Sequence, residues 1–500
     1  MPDLDGAPLG YYRGMRPPFR PFSLRAALGV ALLASVTSAQ QGFTDAFPRE
    51  EFAERRAKVM AQIGDAVAIL QGTTERRGES ALRQSNQFFY LTGVTEPRAF
   101  VVIDGRTKKT ALYLTPATPR RQRAIGPYLG VDEASRATTG VDAIEPREAF
   151  TAAVAAIAAE RRVIFLPLRP EVLGSESSSD VVGFMRVTKE DPWDGHISRD
   201  ETFIAKMKAA APASEVRDLD PILDTMRAVK SPREIALIRE ATRLTGLAIM
   251  EAMRDAEPGM FEYELEAAAE YVYKRGGAYG ESYFPLIANG KNMPYSHYHK
   301  NRDRLRAGDL VQFDWAPDIG NYTSDVTRIF PADGKFTPRQ REFYTAYLRI
   351  YQALLTSIRV HATAREVMDA AVVKMDRFMA EFKFSDPKIR ATAATFVDRF
   401  RVDPKATNPA RSLGHSVGME VHDVRNPTAT LEPGYVFTIE PQMTMEGGEL
   451  SARLEDMILI TETGYENLSA FVPVEIEDIE KLMKQPGLGA HALKLPTPKK

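Results

Sequence analysis

Five residues in the C-terminal half of the chain have side chains that bind divalent metal ions, four as carboxylates and one as an imidazole. They are Asp314, Asp325, His415, Glu440 and Glu455. An unpaired carboxylate in an apolar segment is costly or shifts its pKa, so the four acids need a shared counter-charge. Two divalent cations about 3.5–4 Å apart would supply it and would lower the pKa of a bridging water to about 7. The residues therefore predict a hydrolase whose nucleophile is a metal-bridging hydroxide.

Two predicted β-hairpins position the acids. Four segments have strand-like alternation or β-rich composition, and a turn signal separates the members of each pair. The predicted strands are 310–315 and 324–330, with a turn at Gly320 and Asn321, and 435–440 and 453–460, with a turn at Gly447 and Gly448. The first hairpin can present its two aspartates to one point, and the second places a glutamate on each strand.

The short motifs around these residues resemble those of the metallopeptidases with the pita-bread fold. The likeness is greatest to the Xaa-Pro aminopeptidases (aminopeptidase P) and their relatives, the Xaa-Pro dipeptidases. The motifs are Phe-Asp-Trp-Ala at Asp314, Ser-Asp-Val-Thr-Arg-Ile-Phe-Pro at Asp325, His-Ser-Val-Gly-Met-Glu-Val-His-Asp from His415, Thr-Ile-Glu-Pro at Glu440 and Arg-Leu-Glu-Asp at Glu455.

The resemblance implies how the ligands divide between two metal ions. Asp314 is the terminal ligand of one ion, and His415 with Glu440 binds the other. Asp325 and Glu455 bridge the pair. A carboxylate-rich site with one imidazole suits Mn²⁺ and other first-row ions better than thiophilic ones, and the resemblance implies manganese, with cobalt or zinc as substitutes in vitro.

The resemblance also implies catalytic roles. Glu440 takes a proton from the attacking water and passes it to the leaving nitrogen. His297 and His422 match the two histidines that hold the substrate and the transition state. Arg453 precedes Glu455 by two residues, where it either orients a carboxylate or forms a surface salt bridge.

Arg411 departs from the family pattern, which usually has a second histidine four residues before the ligand histidine. A guanidinium does not act as an acid or base at neutral pH, but it binds carboxylates and carbonyls. Arg411 is therefore predicted to contact the substrate rather than to affect metal binding.

The resemblance extends over nearly the whole chain and implies two domains. An α/β N-terminal domain of the aminopeptidase P and creatinase type is expected over residues 42–215, with a core strand at 68–72, and an α+β pita-bread catalytic domain over 224–483. Ser231 is predicted to cap the first catalytic helix, with Pro232 in its first turn. Residues 486–500 are predicted to form a flexible tail.

Residues 1–39 have the pattern of an export signal. Arginines precede an apolar run at 26–34, and small residues lead to a predicted cleavage site after Ala39. The mature protein is therefore expected in the periplasm or outside the cell, with an uncleaved anchor as the alternative. The sequence has no cysteine, which excludes disulfides.

Composition narrows the function further. The chain has 65 basic and 67 acidic residues. It therefore has no excess of positive charge that would favour binding to nucleic acid. No apolar run after the leader reaches the length of a transmembrane helix. The expected partners are proline-containing peptides and further copies of the chain, since the resemblance implies a homodimer or homotetramer.

Three functions remain open at this point. The first is an aminopeptidase that removes the N-terminal residue from peptides with proline in the second position. The second is an Xaa-Pro dipeptidase. The third is a non-catalytic pita-bread binding module, which the retention of all five ligands disfavours. The sequence does not distinguish substrate length, the residue accepted before proline or the metal used in the cell.

Overall fold

The N-terminal part of the chain forms a mixed six-stranded sheet. The structure is a computed structural model and describes residues 42–75, 82–172, 177–401, 413–426 and 428–491. The strands are β1 (Val67–Gln71), β2 (Phe100–Asp104), β3 (Lys109–Leu114), β4 (Ala143–Pro146), β5 (Ile164–Leu166) and β6 (Val216–Asp218). Their spatial order is β4-β3-β2-β1-β5-β6, with β1 antiparallel to β2 and parallel to β5.

Helices pack on this sheet, and both of its faces are buried. The helices of this part are α1 (Arg49–Ile63), α2 (Asn86–Thr92), α3 (Pro119–Ile125), α4 (Glu133–Thr139), α5 (Phe150–Ala159), α6 (Ser178–Glu190), α7 (Arg199–Ala210) and α8 (Asp220–Ala228). Alternate residues of a strand face opposite sides. Val67 and Ile69 accordingly pack with α5 and α7, whereas Ala68 and Leu70 belong to a different, larger core. The predicted α/β class and its first strand are confirmed.

The predicted end of this domain at residue 215 is too early. The edge strand β6 begins at Val216 and pairs in parallel with β5, so that Ile164 lies opposite Val216. The N-terminal sheet therefore extends to Asp218, inside the segment predicted to be a connection.

The predicted start of the catalytic domain at residue 224 falls inside α8, and the first helix of the catalytic part begins at Pro232. The helices of this part are α9 (Pro232–Asp255), α10 (Glu262–Arg275), α11 (Pro338–Leu355), α12 (Ala364–Glu381), α13 (Pro387–Asp398) and α14 (Ile476–Leu482). Ser231 caps α9 as predicted: its hydroxyl accepts from the backbone N–H of Glu234, whose carboxylate accepts from the backbone N–H of Ser231. This reciprocal box satisfies two N–H groups that a helix start leaves free.

Short antiparallel sheets carry the candidate site. The strands are β7 (Gly280–Glu281), β8 (Leu286–Asn289), β9 (Leu310–Asp314), β10 (Pro317–Asp318), β11 (Thr327–Pro331), β12 (Val436–Ile439), β13 (Gln442–Thr444), β14 (Ser451–Arg453), β15 (Asp456–Thr461) and β16 (Gly464–Asn467). They form sheets in the orders β11-β9-β8, β12-β15-β16, β13-β14 and β10-β7. Helices flank these sheets, and the predicted α+β class of the catalytic domain is confirmed.

The two predicted domains share one core. A single cluster of buried apolar side chains extends from Phe47 to Leu482, and the described residues between 42 and 491 belong to one compact unit. Buried charge also crosses the boundary: Arg55 of α1 lies 3.6 Å from the carboxylate of Glu234 on α9. The interface therefore belongs to the folded core rather than to a hinge.

The chain ends fit the sequence predictions only in part. The predicted tail 486–500 begins with a 3₁₀ turn, Leu488–His491, and the backbone N–H groups of Leu488 and Gly489 donate to Glu251 and Asp255 of α9. Residues 488–491 are therefore attached to α9, and the prediction of a flexible tail is wrong for them. Residues 492–500 and the predicted leader, 1–39, lie outside the described residues. Within the described ranges, no helix is long and apolar enough to span a membrane.

Candidate metal centre

The first hairpin brings Asp314 and Asp325 together. Asp314 is the last residue of β9, and Asp325 lies two residues before β11, which begins at Thr327, three residues later than predicted. The connection contains the predicted turn: Gly320 and Asn321 both have positive φ, +61° and +68°. Two such residues in succession are typical of the type I′ turn that closes a tight hairpin.

The second pair of acids lies where two strands are interrupted. β12 stops before Glu440 and β13 starts after Pro441, while β14 stops at Arg453 and β15 starts after Glu455. The prediction that the glutamates lie inside strands is therefore wrong. Both ladders keep the same register, and continuing it across the gap places Glu440 opposite Glu455.

Two physical causes account for this gap. Pro441 has no N–H to donate to a ladder, and two carboxylates directly opposite each other repel. The hydroxyl of Tyr347 occupies the gap instead: it donates to the carbonyl of Pro441 at 2.7 Å and accepts from the N–H of Leu454 at 2.6 Å. The backbone is thus satisfied while both glutamate side chains remain available.

His415 meets three of the four carboxylates. Its Nε2 lies 3.4 Å from Asp325 Oδ2, 3.2 Å from Glu440 Oε1 and 3.7 Å from Glu455 Oε1. Its Nδ1 lies 3.3 Å from the carbonyl of Ser416, which can only accept. Nδ1 can therefore donate to this carbonyl while Nε2 faces the acids, the arrangement usual for a metal-binding histidine.

The hydroxyl of Tyr283 joins the two aspartates. It lies 2.7 Å from Asp314 Oδ1 and 2.8 Å from Asp325 Oδ1. A phenol has one hydrogen to donate, so two ionised carboxylates compete for it. Asp325 also faces His415 through its other oxygen, and this places it between Asp314 and the imidazole.

Burial and mutual repulsion shift the ionisation of the site. Burial raises the pKa of Asp314 to about 7 and the pKa of Glu455 well above its usual range. Burial alone would lower the pKa of His415, but its contacts with Asp325 and Glu440 raise it to about 10. Burial opposes ionisation of Asp325 too, yet His415 holds the pKa of that carboxyl below its usual range. Acidic groups thus exceed the nearby cations.

The donor set fits divalent metal ions. Glu455 Oε2 accepts from the hydroxyl of Thr327 at 2.8 Å, whereas the buried Oε1 has no hydrogen-bond partner. One ligand atom each from Asp325, His415 and Glu455 lie within 4.8 Å of one another. Carboxylate oxygens with one imidazole are ligands for hard and borderline first-row ions. A cation at this point would satisfy the unpartnered oxygen.

Arg453 links the site to the segment that carries His297. The side chain is buried, donates to Asp314 Oδ2, and reaches the carbonyl of Ser296 at 3.3 Å. This burial excludes the surface salt bridge considered from the sequence. His297 itself is exposed, with its ring 6.5 Å from that of Phe284. Arg453 is therefore placed to orient both a carboxylate and the neighbouring loop.

His422 lies beside His415. The ring centroids of His415 and His422 are 4.2 Å apart and the rings are nearly perpendicular. Burial and the charge of His415 lower the pKa of His422. The side chain is thus a neutral hydrogen-bonding group at the edge of the carboxylate cluster.

Comparisons with known proteins agree with this geometry. Residues 236–462 match metallopeptidase family M24, and residues 52–165 match the N-terminal domain of aminopeptidase P. The Xaa-Pro aminopeptidase of Escherichia coli is 30% identical over 465 residues, which cover 87% of this chain and 98% of that protein. The chain belongs to the aminopeptidase P family of metallopeptidases. As a member it is a metal-dependent hydrolase.

Other members of the family are similar over the same extent. The Xaa-Pro aminopeptidase of Haemophilus influenzae is 29% identical over 455 residues, covering 87% of this chain and 97% of that protein. The structure of Pseudomonas aeruginosa aminopeptidase PepP is 28% identical and superposes with a TM-score of 0.69, covering 87% of this chain and 98% of that one. The aminopeptidase P architecture therefore includes both domains of this metallopeptidase.

The sequence analysis did not predict the hydroxyl groups that support the acids of this metallopeptidase. Those of Tyr283 and Thr327 contact carboxylates, and that of Tyr347 contacts the backbone beside Glu440 and Glu455. The contact of Thr327 could have been predicted, since Thr327 follows Asp325 by two residues in the same extended run. The contacts of the two tyrosines could not be predicted, because both are far from the acids in sequence. Tyr283 lies in a connection and Tyr347 in a helix. Arg411, predicted to contact the substrate, lies outside the described residues.

Removing the hydroxyl of Tyr283 should weaken metal binding. The Tyr283→Phe variant loses the donor shared by Asp314 and Asp325, and loss of such a supporting group lowers metal affinity by about 10- to 100-fold. Titration calorimetry of the metal-free protein with Mn²⁺ measures this. The matched control is Tyr344→Phe, which removes a hydroxyl that donates to the carbonyl of Val474 instead. Equal affinity in the two variants would contradict the role of Tyr283.

Proposed function

We propose that this metallopeptidase removes the N-terminal residue from peptides with proline in the second position, using two divalent metal ions. The observation that carries the proposal is the cluster of four acids around His415, in which the buried Glu455 Oε1 lacks a partner. The named activity of the relatives, Xaa-Pro aminopeptidase, supports the choice of substrate. A non-catalytic binding module would have no reason to keep these ligands.

The contacts support a division of the ligands between two ions. At one end of the cluster, Asp314 contacts the hydroxyl of Tyr283. At the other end, His415 contacts Glu440. Asp325 contacts both ends through its two oxygens, which suits a bridging ligand, and Glu455 is proposed as the second bridge. Bound ions would supply a water of lowered pKa and polarise the scissile carbonyl. The oxygen-rich ligands favour Mn²⁺.

Glu440 is the carboxylate placed to move a proton. Its side chain is 29% exposed, whereas those of Asp314, Asp325 and Glu455 are 4%, 7% and 1% exposed. Glu440 is therefore the most open of the four acids to water and substrate. We assign it the transfer of a proton from the attacking water to the leaving nitrogen.

The two histidines would act on the peptide itself. A neutral His422 can donate its N–H to the oxyanion that forms at the scissile carbonyl, the kind of preorganised donor that contributes most in acyl transfer. His297, on the exposed segment attached to Arg453, would hold the substrate backbone. Arg411 stays a proposed substrate contact.

Paired peptides test the proposed reaction and its alternative. Protein stripped of metal should be inactive, and Mn²⁺ should restore release of the first residue from an Xaa-Pro-Yaa tripeptide, measured by chromatography of the products. The same peptide with alanine in place of proline is the matched control. Cleavage of an Xaa-Pro dipeptide alone would identify a dipeptidase, and no cleavage of either peptide by the metal-loaded protein would refute the Xaa-Pro assignment.

The histidine roles have a separate test. Replacing His422 by alanine should lower kcat by about 100-fold or more, as loss of one oxyanion donor does, and His297→Ala should raise KM. Both variants should keep the metal content of the parent protein. The control is His361→Ala, since His361 lies on the surface and pairs with Glu432. An unchanged kcat for His422→Ala would remove that residue from the mechanism.

We also propose export and self-association. The arginine-rich leader and the small residues before position 40 support cleavage after Ala39. N-terminal sequencing of protein recovered from the periplasm or medium should then begin at Gln40, and a retained leader would indicate an anchor. Light scattering of the same preparation measures whether it is the proposed dimer or tetramer.

A further inference from the structure

The loop that carries His422 is attached to the N-terminal domain at a buried point. This loop, residues 415–423, begins at the ligand His415, and Glu420 lies two residues before His422. Glu420 is 3% exposed although it carries a carboxylate. A buried carboxylate persists only where hydrogen bonds and cations satisfy it, and here most of them come from another domain.

Each carboxylate oxygen of Glu420 has two donors. Oε1 accepts from Asn86 Nδ2 and from Arg227 Nη2, each at 3.1 Å. Oε2 accepts from the backbone N–H of Ser178 at 2.9 Å and from its hydroxyl at 2.6 Å. Asn86 begins α2 and Ser178 begins α6, both in the N-terminal domain. Three of the four donors therefore come from α2 and α6 of the N-terminal domain, and the fourth comes from Arg227 of α8, the last helix before the catalytic part.

Arg83 extends this contact to the adjacent residue. Its Nη2 donates to the carbonyl of Met419 at 2.9 Å, its Nη1 to Asn86 Oδ1 at 3.0 Å, and its Nε to Asp318 at 2.6 Å. Arg83 thus fixes the orientation of the Asn86 amide as well as the loop backbone. The N-terminal domain therefore holds two consecutive residues of the loop, three and two positions before His422.

The arginine beneath Glu420 offers competing donors. Arg227 is fully buried, pairs with Asp423 at 2.5 Å, and has Nε and Nη1 without hydrogen-bond partners. A carboxylate that lost the donors of Asn86 or Ser178 could turn toward these free N–H groups. Because Glu420 and Asp423 flank His422 in the sequence, such a turn would move the imidazole.

We infer that Asn86 and Ser178 are positioning residues that act through Glu420 to hold His422 in its working place. The inference rests on the proposed function in naming His422 as the affected group. It assigns the N-terminal domain a part in the chemical step, beyond folding and assembly. A misplacement of a catalytic group by about 1 Å lowers the rate by roughly 100-fold, so loss of one donor should be visible in kcat.

Steady-state kinetics of Ser178→Ala and Asn86→Ala test this inference. Each variant should lower kcat by about 10- to 100-fold, with KM within about twofold of the parent value and with the parent's metal content. Ser178→Thr keeps the hydroxyl and should restore most of kcat. The matched controls are Ser179→Ala, in the same helical turn as Ser178, and Gln87→Ala, whose amide contacts Asp220 instead of the loop.

A double-mutant comparison asks whether the effect passes through Glu420. Glu420→Gln should reproduce the loss, and adding Ser178→Ala to it should lower kcat little further, because both changes break the same contact. Full additivity, or kcat values equal to those of the controls, would overturn the inference. If Asn86→Ala fails to fold, Ser178→Ala alone decides, since its side chain is only partly buried.

Hydrogen exchange gives a readout that needs no substrate. Backbone amides of residues 413–423 should exchange faster in Ser178→Ala than in Ser179→Ala, as local opening becomes easier when a buried contact is lost. Equal exchange in the two variants would overturn the inference even if the enzyme proved to act on other peptides. Faster exchange in a protein that cleaves no Xaa-Pro substrate would refute the proposed function and leave the loop contact standing.

Discussion

The structure depends on the need to keep four carboxylates together in a space of a few ångströms. Taking carboxylates out of water is costly unless cations or hydrogen bonds compensate them. Arg453 and His415 lie beside these acids, yet burial, together with the neighbouring carboxylates, still raises the pKa of Asp314 and of Glu455. Divalent ions remove the remaining imbalance. The four acids therefore need a bound cation if they are to stay ionised together.

The surrounding backbone is arranged to hold the acids without neutralising them. Interrupting the ladder at Glu440 and Glu455 frees both side chains from strand packing, and the hydroxyl of Tyr347 satisfies the backbone groups that the gap exposes. Tyr283 and Thr327 each donate to ligand carboxylates while leaving other oxygens free. Neutral hydroxyl donors orient a carboxylate without cancelling its charge, so the ligands are preorganised and still attract metal.

The sequence predicted what depends on residue type and short spacing. The turn at Gly320 and Asn321 and the cap at Ser231 are local patterns, and the structure contains both. The motifs also singled out the acids and the histidine that the structure brings together. The strand break was not predicted, because the alternation of apolar and polar residues on both sides suggested continuous strands. Pro441 could have indicated the break, since proline has no N–H to donate to a ladder. The end of the N-terminal domain was missed because β6 is three residues long and is defined by its pairing with β5. Hydrogen-bond donors that are far away in sequence, such as Tyr283, cannot be recognised from the residues around the acids.

The proposed role of His422 gives the N-terminal domain a function at the candidate site. The imidazole lies in a nine-residue loop whose first residue, His415, is fixed by the ligand acids. A loop held at one end only would sample many positions, and a catalytic group gains most when that freedom is removed before the substrate binds. Asp423 is held by Arg227 and Lys230, and Glu420 by the N-terminal domain. The loop is therefore fixed on the metal side and on the domain side, with His422 between them.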